Sequence, residues 1–184
     1  MKRGLEKPLK EDMGIIFRAL AFAARQHRDQ RRKDKQSTPY INHPIELAEL
    51  LVNEGQVTDA NVITAAILHD TVEDTETTIQ ELETRFGSGI AGIVKEVTDN
   101  KALPKTERKR LQIENAASCS EAAKLVKLAD KICNLRDMLA HPPHDWPQER
   151  IRAYFDWARA VIQELRGVHP GLERLFDAAY ARKP

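Results

Sequence analysis

A chain of 184 residues is long enough to bury one sizeable core. Hydrophobic residues make up 41% and charged residues 31%, and Lys+Arg 29 against Asp+Glu 28 leaves a formal net charge of +1, too even a balance for a general binder of nucleic acid or anionic membrane. No apolar stretch approaches the ~20 residues of a membrane span, and the two cysteines, Cys119 and Cys133, are too few for a disulfide framework and point to a reducing cytoplasm.

Helical periodicity dominates from the start. Met13 to His27 carries apolar residues at three- and four-residue spacing. Ala21-Phe22-Ala23 mimics a signal-peptidase site, but Arg18 breaks the apolar run and Arg25, Arg28, Arg31 and Arg32 follow, so an amphipathic first helix is the expectation. Lys33 to Tyr40 is a polar loop. Pro44 suits the first residue of a helix running to Glu54-Gly55, with His43 at or near its cap. Thr58 or Asp59 can cap the next helix, which continues through Leu68-His69-Asp70. Thr77 or Thr78 with Glu81 has the form of a capping box for a short helix that Gly87 stops.

Gly89 to Thr98 reads as another helix, Pro104 can start one reaching Ala117, and Ser120 one reaching Leu139. His141 to Pro147 is a loop, and helices of about Gln148 to Leu165 and Pro170 to Arg182 close the chain. No β-branched alternation, repeat or linker competes. The expectation is one all-α domain over 1–184 of about eight to ten helices, with 1–10 as an N-terminal extension.

Three separated segments hold the groups that carry chemistry. They are Pro39-Tyr40-Ile41-Asn42-His43-Pro44, then His69-Asp70 with Glu73-Asp74, then Lys124 to Asp137, where Asp130 and Asn134 share a helix face. In a continuous helix His69 and Glu73 stand at i and i+4, as do Asp70 and Asp74, crowding one end of an apolar rod. Burying three carboxylates with an imidazole is costly unless a cation joins them, and a divalent metal is the simplest candidate. Mixed nitrogen and oxygen ligation suits Mn, Fe, Zn or Ni better than Ca or Mg.

Blander readings cover the remaining polar residues. Arg31, Arg32, Lys33 and Lys35 lack the interleaved aromatics of a nucleic-acid groove. Lys105, Arg108, Lys109 and Arg110 alternate with Glu107 and Glu114 and read mostly as helix-surface ion pairs, and Lys124, Lys127 and Lys131 read the same way. His27 is expected to hydrogen-bond near the loop, while His141, His144 and His169 are expected at the surface. Cys133 reads as a small core residue. Trp146, Tyr154, Phe155 and Trp157 read mainly as packing, with Tyr154 the candidate for stacking on a base.

The motifs together resemble a known family. Ala23-Ala24-Arg25-Gln26-His27, Gln30-Arg31-Arg32-Lys33-Asp34, Thr38 to Pro44, Leu68-His69-Asp70-Thr71-Val72-Glu73-Asp74-Thr75, Val97-Thr98-Asp99, Leu103-Pro104-Lys105 with Glu107-Arg108-Lys109-Arg110, and Ala123 to Asp137 are similar to the hydrolase domain of RelA/SpoT proteins, in the HD superfamily. The likeness is strongest to the stand-alone small alarmone hydrolases, among them the animal SpoT homologs, and covers all but about the first ten residues. It implies removal of the 3′-pyrophosphate from (p)ppGpp, leaving GDP or GTP plus pyrophosphate, with one divalent metal, Mn2+ first and Zn2+, Fe2+ or Ni2+ as alternatives.

Carried over by motif, the implied metal ligands are His43, His69, Asp70 and Asp130, the catalytic pair is Glu73 and Asp74, and the substrate contacts are Arg32, Lys33, Asn134, Lys105 and Tyr154. No ligand position departs from the pattern. The implied partner is a small nucleotide, with no nucleic acid and no membrane, and a homo-oligomer is left open. Adenosine alarmones, or the 2′-phosphate of NADPH, are the alternative substrates of the same site.

Overall fold

The computed structural model describes residues 6–184, with side chains from Leu9 onward. Its elements are α1 (Glu6–Gln26), α2 (Asn42–Glu49) continued by a π-helical turn (Leu50–Glu54), α3 (Ala60–Leu68), α4 (Thr71–Asp74), α5 (Ile79–Phe86), α6 (Ser88–Val97), α7 (Lys105–Ala116), α8 (Glu121–Ala140), α9 (Gln148–Gln163) and α10 (Pro170–Tyr180). Among the described residues no strand forms, and one isolated bridge pairs Arg31 with Pro39 across the loop after α1. The expectation of an all-α fold is met. Of the expected N-terminal extension, residues 1–5 lie outside the described residues and the rest opens α1.

The most apolar helix sits at the centre. Every residue of α3 from Val62 to Leu68 is buried, and α1, α2, α6 and α8 pack around it. A helix enclosed on all sides has no need of an amphipathic stripe. Outside it, α8 carries α9 and α10, and α7 lies against α9. The core runs through these layers, with Leu47, Leu68, Leu128, Phe155 and Phe176 fully enclosed. No helix among the described residues is long and apolar enough to cross a membrane. Cys133 is buried on α8 and both cysteines are free thiols, as expected.

Local signals account for most helix ends. Asp59 accepts from the Asn61 amide to cap α3, Thr78 from the Glu81 amide to cap α5, and Ser120 from the Ala123 amide to cap α8. Gly87 adopts φ 89° between α5 and α6, a conformation L side chains resist. Gly55 ends the π-helical turn, and a Cβ there would come within 2.8 Å of the Leu51 carbonyl oxygen and 3.0 Å of Leu172. That contact lets α10 close on α2's extension.

Three expectations need correction. Pro44 is the third residue of α2, which starts at Asn42 without a side-chain cap. His169 is half-buried and structural, its Nδ1 accepting from the Leu172 amide at 3.1 Å to cap α10. The helix expected to run on through His69-Asp70 stops at Leu68 and restarts as α4. Side chains compete for the carbonyls there: His69 Nδ1 lies 2.8 Å from the Ala66 oxygen, and Thr71 Oγ1 donates to the Leu68 oxygen at 2.7 Å.

Candidate active site

The break after Leu68 aims two side chains at one point. The Ala66 carbonyl can only accept, so His69 Nδ1 carries a hydrogen, and Nε2 presents a lone pair once a metal ion takes the place of its own proton. That Nε2 lies 2.8 Å from Asp70 Oδ2 and 4.0 Å from Asp130 Oδ1, and no hydrogen bond satisfies it. From α2, His43 places Nε2 3.2 Å from the same Asp130 oxygen, while its buried Nδ1 has no partner. The two imidazole rings stand 5.3 Å apart. One donor atom each from His43, His69 and Asp130 falls within 4.8 Å of the others, a group that could hold a divalent metal ion.

Electrostatics supports the same conclusion. Burial opposes charge on His69, yet Asp70 and then Asp130 lift its imidazole to about 9. Burial pushes the Asp70 carboxyl up, and His69 and His43 overturn that to hold it well below the ordinary carboxylate range. Asp130 is held low against burial by Lys131 and His43. A cluster that grips a proton this firmly is built to contain positive charge. Tyr40 donates its hydroxyl to Asp70 Oδ2, Asn134 Nδ2 donates to Asp130 Oδ1 at 2.6 Å, and Lys131 Nζ donates to Asp130 Oδ2 at 2.8 Å. These partners fix both carboxylates in orientation.

Glu73 and Asp74 follow on α4 and part company. Glu73 faces a cavity of about 230 Å³ beside the cluster, where its Oε2 accepts from the Asp99 amide at 3.1 Å and Oε1 lies 3.5 Å from Arg108. Burial is the main cause that pushes its carboxyl up to about 7. Asp74 faces a larger groove of about 830 Å³ on the other flank, accepting from Gln30 Nε2 at 2.8 Å and from Lys101 Nζ. Gln30 in turn meets buried His27 at 2.6 Å, the structural role expected of that histidine.

The expected substrate residues divide between the same two spaces. Arg32 and exposed Lys33 line the groove; Arg32 is ion-paired with Asp137 and stands 5.8 Å over the Tyr40 ring. Asp34 accepts from the Gln36 amide at 2.7 Å and from Thr38 Oγ1 at 2.5 Å, holding their loop in shape. Asn134 and Tyr154 border both spaces. Lys105 lines the cavity, 5.7 Å over the Trp146 ring.

The cavity also holds residues that were expected elsewhere. Lys127 and Lys131 are 8% and 5% exposed, so the reading of both as surface pairs fails. Arg108 reaches Glu73, and Lys109 lies 4.6 Å over the Trp157 ring; of that cluster on α7, Arg110 alone behaves as a surface pair, with Glu107 and Glu114. Tyr40, Gln30 and Asp137 stood only within longer motifs and were given no role of their own. Position beside Asp130 within an apolar stretch was the available signal for Lys127 and Lys131.

Comparisons with known proteins agree on the fold and the family. Residues 19–155 match the HD domain family. The chain is 53% identical to guanosine-3′,5′-bis(diphosphate) 3′-pyrophosphohydrolase MESH1 of Xenopus tropicalis, over 92% of this chain and 94% of the relative. It is 54% identical to MESH1 of Homo sapiens, over 91% and 94% respectively. A solved structure described as a metazoan ortholog of SpoT that hydrolyzes ppGpp superposes with a TM-score of 0.89 at 49% identity, covering 91% of this chain and 94% of that one.

Proposed function

The chain belongs to the HD domain family, in the branch of the MESH1 proteins, and on that premise we propose that it is a (p)ppGpp 3′-pyrophosphohydrolase that yields GDP or GTP plus pyrophosphate. One observation carries the reading beyond family: His69 Nε2 lies within 4.8 Å of donor atoms of His43 and Asp130 and 2.8 Å from Asp70, where a cavity lined by Lys105, Arg108, Lys109, Lys127 and Lys131 meets the groove of Arg32 and Lys33. In this reading the chain works as one hydrolase domain over 1–184, with residues 1–10 as an extension. Its two free thiols support a cytoplasmic setting.

His43, His69, Asp70 and Asp130 are the proposed ligands of one divalent cation, and Mn2+ suits their two nitrogens and two carboxylates. When bound, the cation supplies Lewis-acid polarisation of phosphate oxygens and lowers the pKa of water. Glu73 is placed to take a proton: it faces the cluster's cavity, and burial raises its carboxyl to about 7. Asp74, held by Gln30 and Lys101, orients groups from the groove side. Arg32 and Lys33 hold the nucleotide, Lys105 neutralises phosphate charge, and Tyr154 offers its ring to the nucleoside. Asn134 keeps Asp130 in place.

The test incubates purified protein and Mn2+ with ppGpp, its adenosine analogue and NADPH in parallel, with and without chelator. Pyrophosphate released from ppGpp, abolished by chelator and reduced by Asp74→Asn, is the expected result. Turnover of the adenosine analogue or NADPH alone would reassign the substrate, and chelator-resistant turnover would remove the metal.

A further inference from the structure

Three cations lining the cavity, Lys105, Lys109 and Lys127, have no carboxylate partner among the described residues, and the last two are withdrawn from solvent. Lys127 is 8% exposed on α8, one turn before Asp130, and forms no ion pair or hydrogen bond among the described residues. Lys109, on α7, rests over Tyr154 and Trp157 at 5.6 and 4.6 Å and likewise has no carboxylate partner. The carboxylates facing this cavity are committed elsewhere: Asp70 to His69 and Tyr40, Asp130 to His43, Asn134 and Lys131, Glu73 to Arg108, and Asp99 to Gln112.

Burying an ammonium group without an anion is unfavourable, and folds keep such groups where a ligand completes them. Burial, followed by Lys131, pulls the Lys127 pKa down, and burial with Lys105 does the same at Lys109, the condition an arriving anion relieves. Position narrows the anion's identity. At ~1.5 Å rise per residue, Asn134 and Lys127 stand about 10 Å apart along α8, with Asp130 between them. The groove of Arg32 and Lys33 includes Asn134 but not Lys127, and the lysines line only the cavity. A ligand laid across the cluster therefore leaves its nucleoside on the Asn134 side and its anionic end on the Lys127 side.

The structure assigns Lys109, Lys127 and Lys131 as the seat of the pyrophosphate unit, held beyond the cluster from the nucleoside; this rests on the hydrolase reading above. Water adds its oxygen to the phosphorus attached to ribose O3′. The P–O3′ bond breaks with its electrons on the oxygen, which receives one proton; the other proton leaves through Glu73. Pyrophosphate stays against the lysines, neutralised, until it departs.

Calorimetric titration of the purified protein with inorganic pyrophosphate, and with orthophosphate in parallel, tests the assignment in wild type, Lys127→Met and Lys109→Met. Each substitution removes a charge-assisted contact and is expected to weaken pyrophosphate about 10- to 100-fold, with orthophosphate changed less than about threefold because it cannot span the seat. Lys127→Met is also expected to raise the Tm of the ligand-free protein, since it replaces an uncompensated buried charge with an apolar side chain of similar length; a merely structural lysine would lower it. Unchanged pyrophosphate affinity in both variants, or none in wild type, overturns the assignment. If Lys127→Met does not fold, Lys109→Met decides alone. Lysine-dependent pyrophosphate binding without ppGpp turnover would sink the hydrolase reading and leave the seat standing.

Discussion

On the groove side of the histidine–aspartate cluster, Arg32 is matched to Asp137, and Asp74 to Gln30 and Lys101. On the cavity side, Lys109 and Lys127 are matched to no carboxylate, although Lys127 is the more deeply buried of all these cations. A paired cation is a finished piece of structure: it positions the loop that carries it and changes little when a ligand arrives. An unpaired, buried one is unfinished, and its cost is recovered only when an anion fills the space. The protein therefore holds the groove ready-shaped and leaves the cavity electrostatically incomplete.

Four substitutions break or sharpen this contrast. Asp70→Ala, at the junction, should abolish the advantage of both flanks, cutting metal affinity and turnover by the ~3–5 kcal/mol that loss of a partner from a buried charged cluster costs; equilibrium metal titration and initial rates measure it. Full activity would dissolve the cluster assignment. Glu73→Gln should lower kcat about 10²- to 10⁴-fold if this carboxylate moves the proton. It should also alter stability with pH in metal-free protein. Because the folded-state value near 7 lies above the ordinary 4.5, the Glu73 contribution is fully present below about 4.5 and is lost as pH rises through 7. Urea unfolding at pH 5 and pH 8 should show wild type losing about 1–2 kcal/mol relative to the variant, discounted for residual solvent contact. A parallel pair of curves would refute this.

Asp137→Asn probes the finished flank. It leaves Arg32 without its counter-ion and should destabilise the fold by about 1–2 kcal/mol, the opposite sign to Lys127→Met, with KM raised several-fold and kcat nearly unchanged. A stabilised Asp137→Asn would erase the distinction between the flanks. Smallest is Thr78→Ala, remote from both: loss of the α5 cap should cost about 1 kcal/mol in chemical denaturation and leave kcat/KM as it was.

What the chain disclosed in advance follows local chemistry. Helix starts at Asp59, Thr78 and Ser120 were readable because a side-chain oxygen and a backbone amide two or three residues on settle them without help from the rest of the fold. The residue types of His43, His69, Asp70 and Asp130 were equally plain, since few functions need them together in three apolar-flanked segments. The separation of Glu73 from Asp74 was not readable. It depends on what packs on either side of α4, the Asp99 amide and Arg108 against Glu73 and Gln30 and Lys101 against Asp74. Nor was the burial of Lys127 and Lys131. Their spacing on α8 matches that of an ordinary solvated face, and only the elements packed against α8 enclose them, with Trp157 of α9 over Lys131. His169 was missed for a related reason: an imidazole can cap a helix, but Ser, Thr, Asp and Asn are the usual signal.

Both tryptophans of the chain, Trp146 and Trp157, line the cavity, Trp157 with Lys109 and Lys131 within 4.6 and 4.7 Å of its ring and Trp146 with Arg150 at 4.0 Å. The intrinsic fluorescence of the protein therefore originates in its reaction chamber. Charge placed beside an indole shifts its emission, so an anion that draws these cations off the rings should change intensity and wavelength together. Ligand occupancy can be followed optically in the unlabelled wild-type protein, in real time, and Trp157→Phe assigns the signal to the wall where the lysines stand.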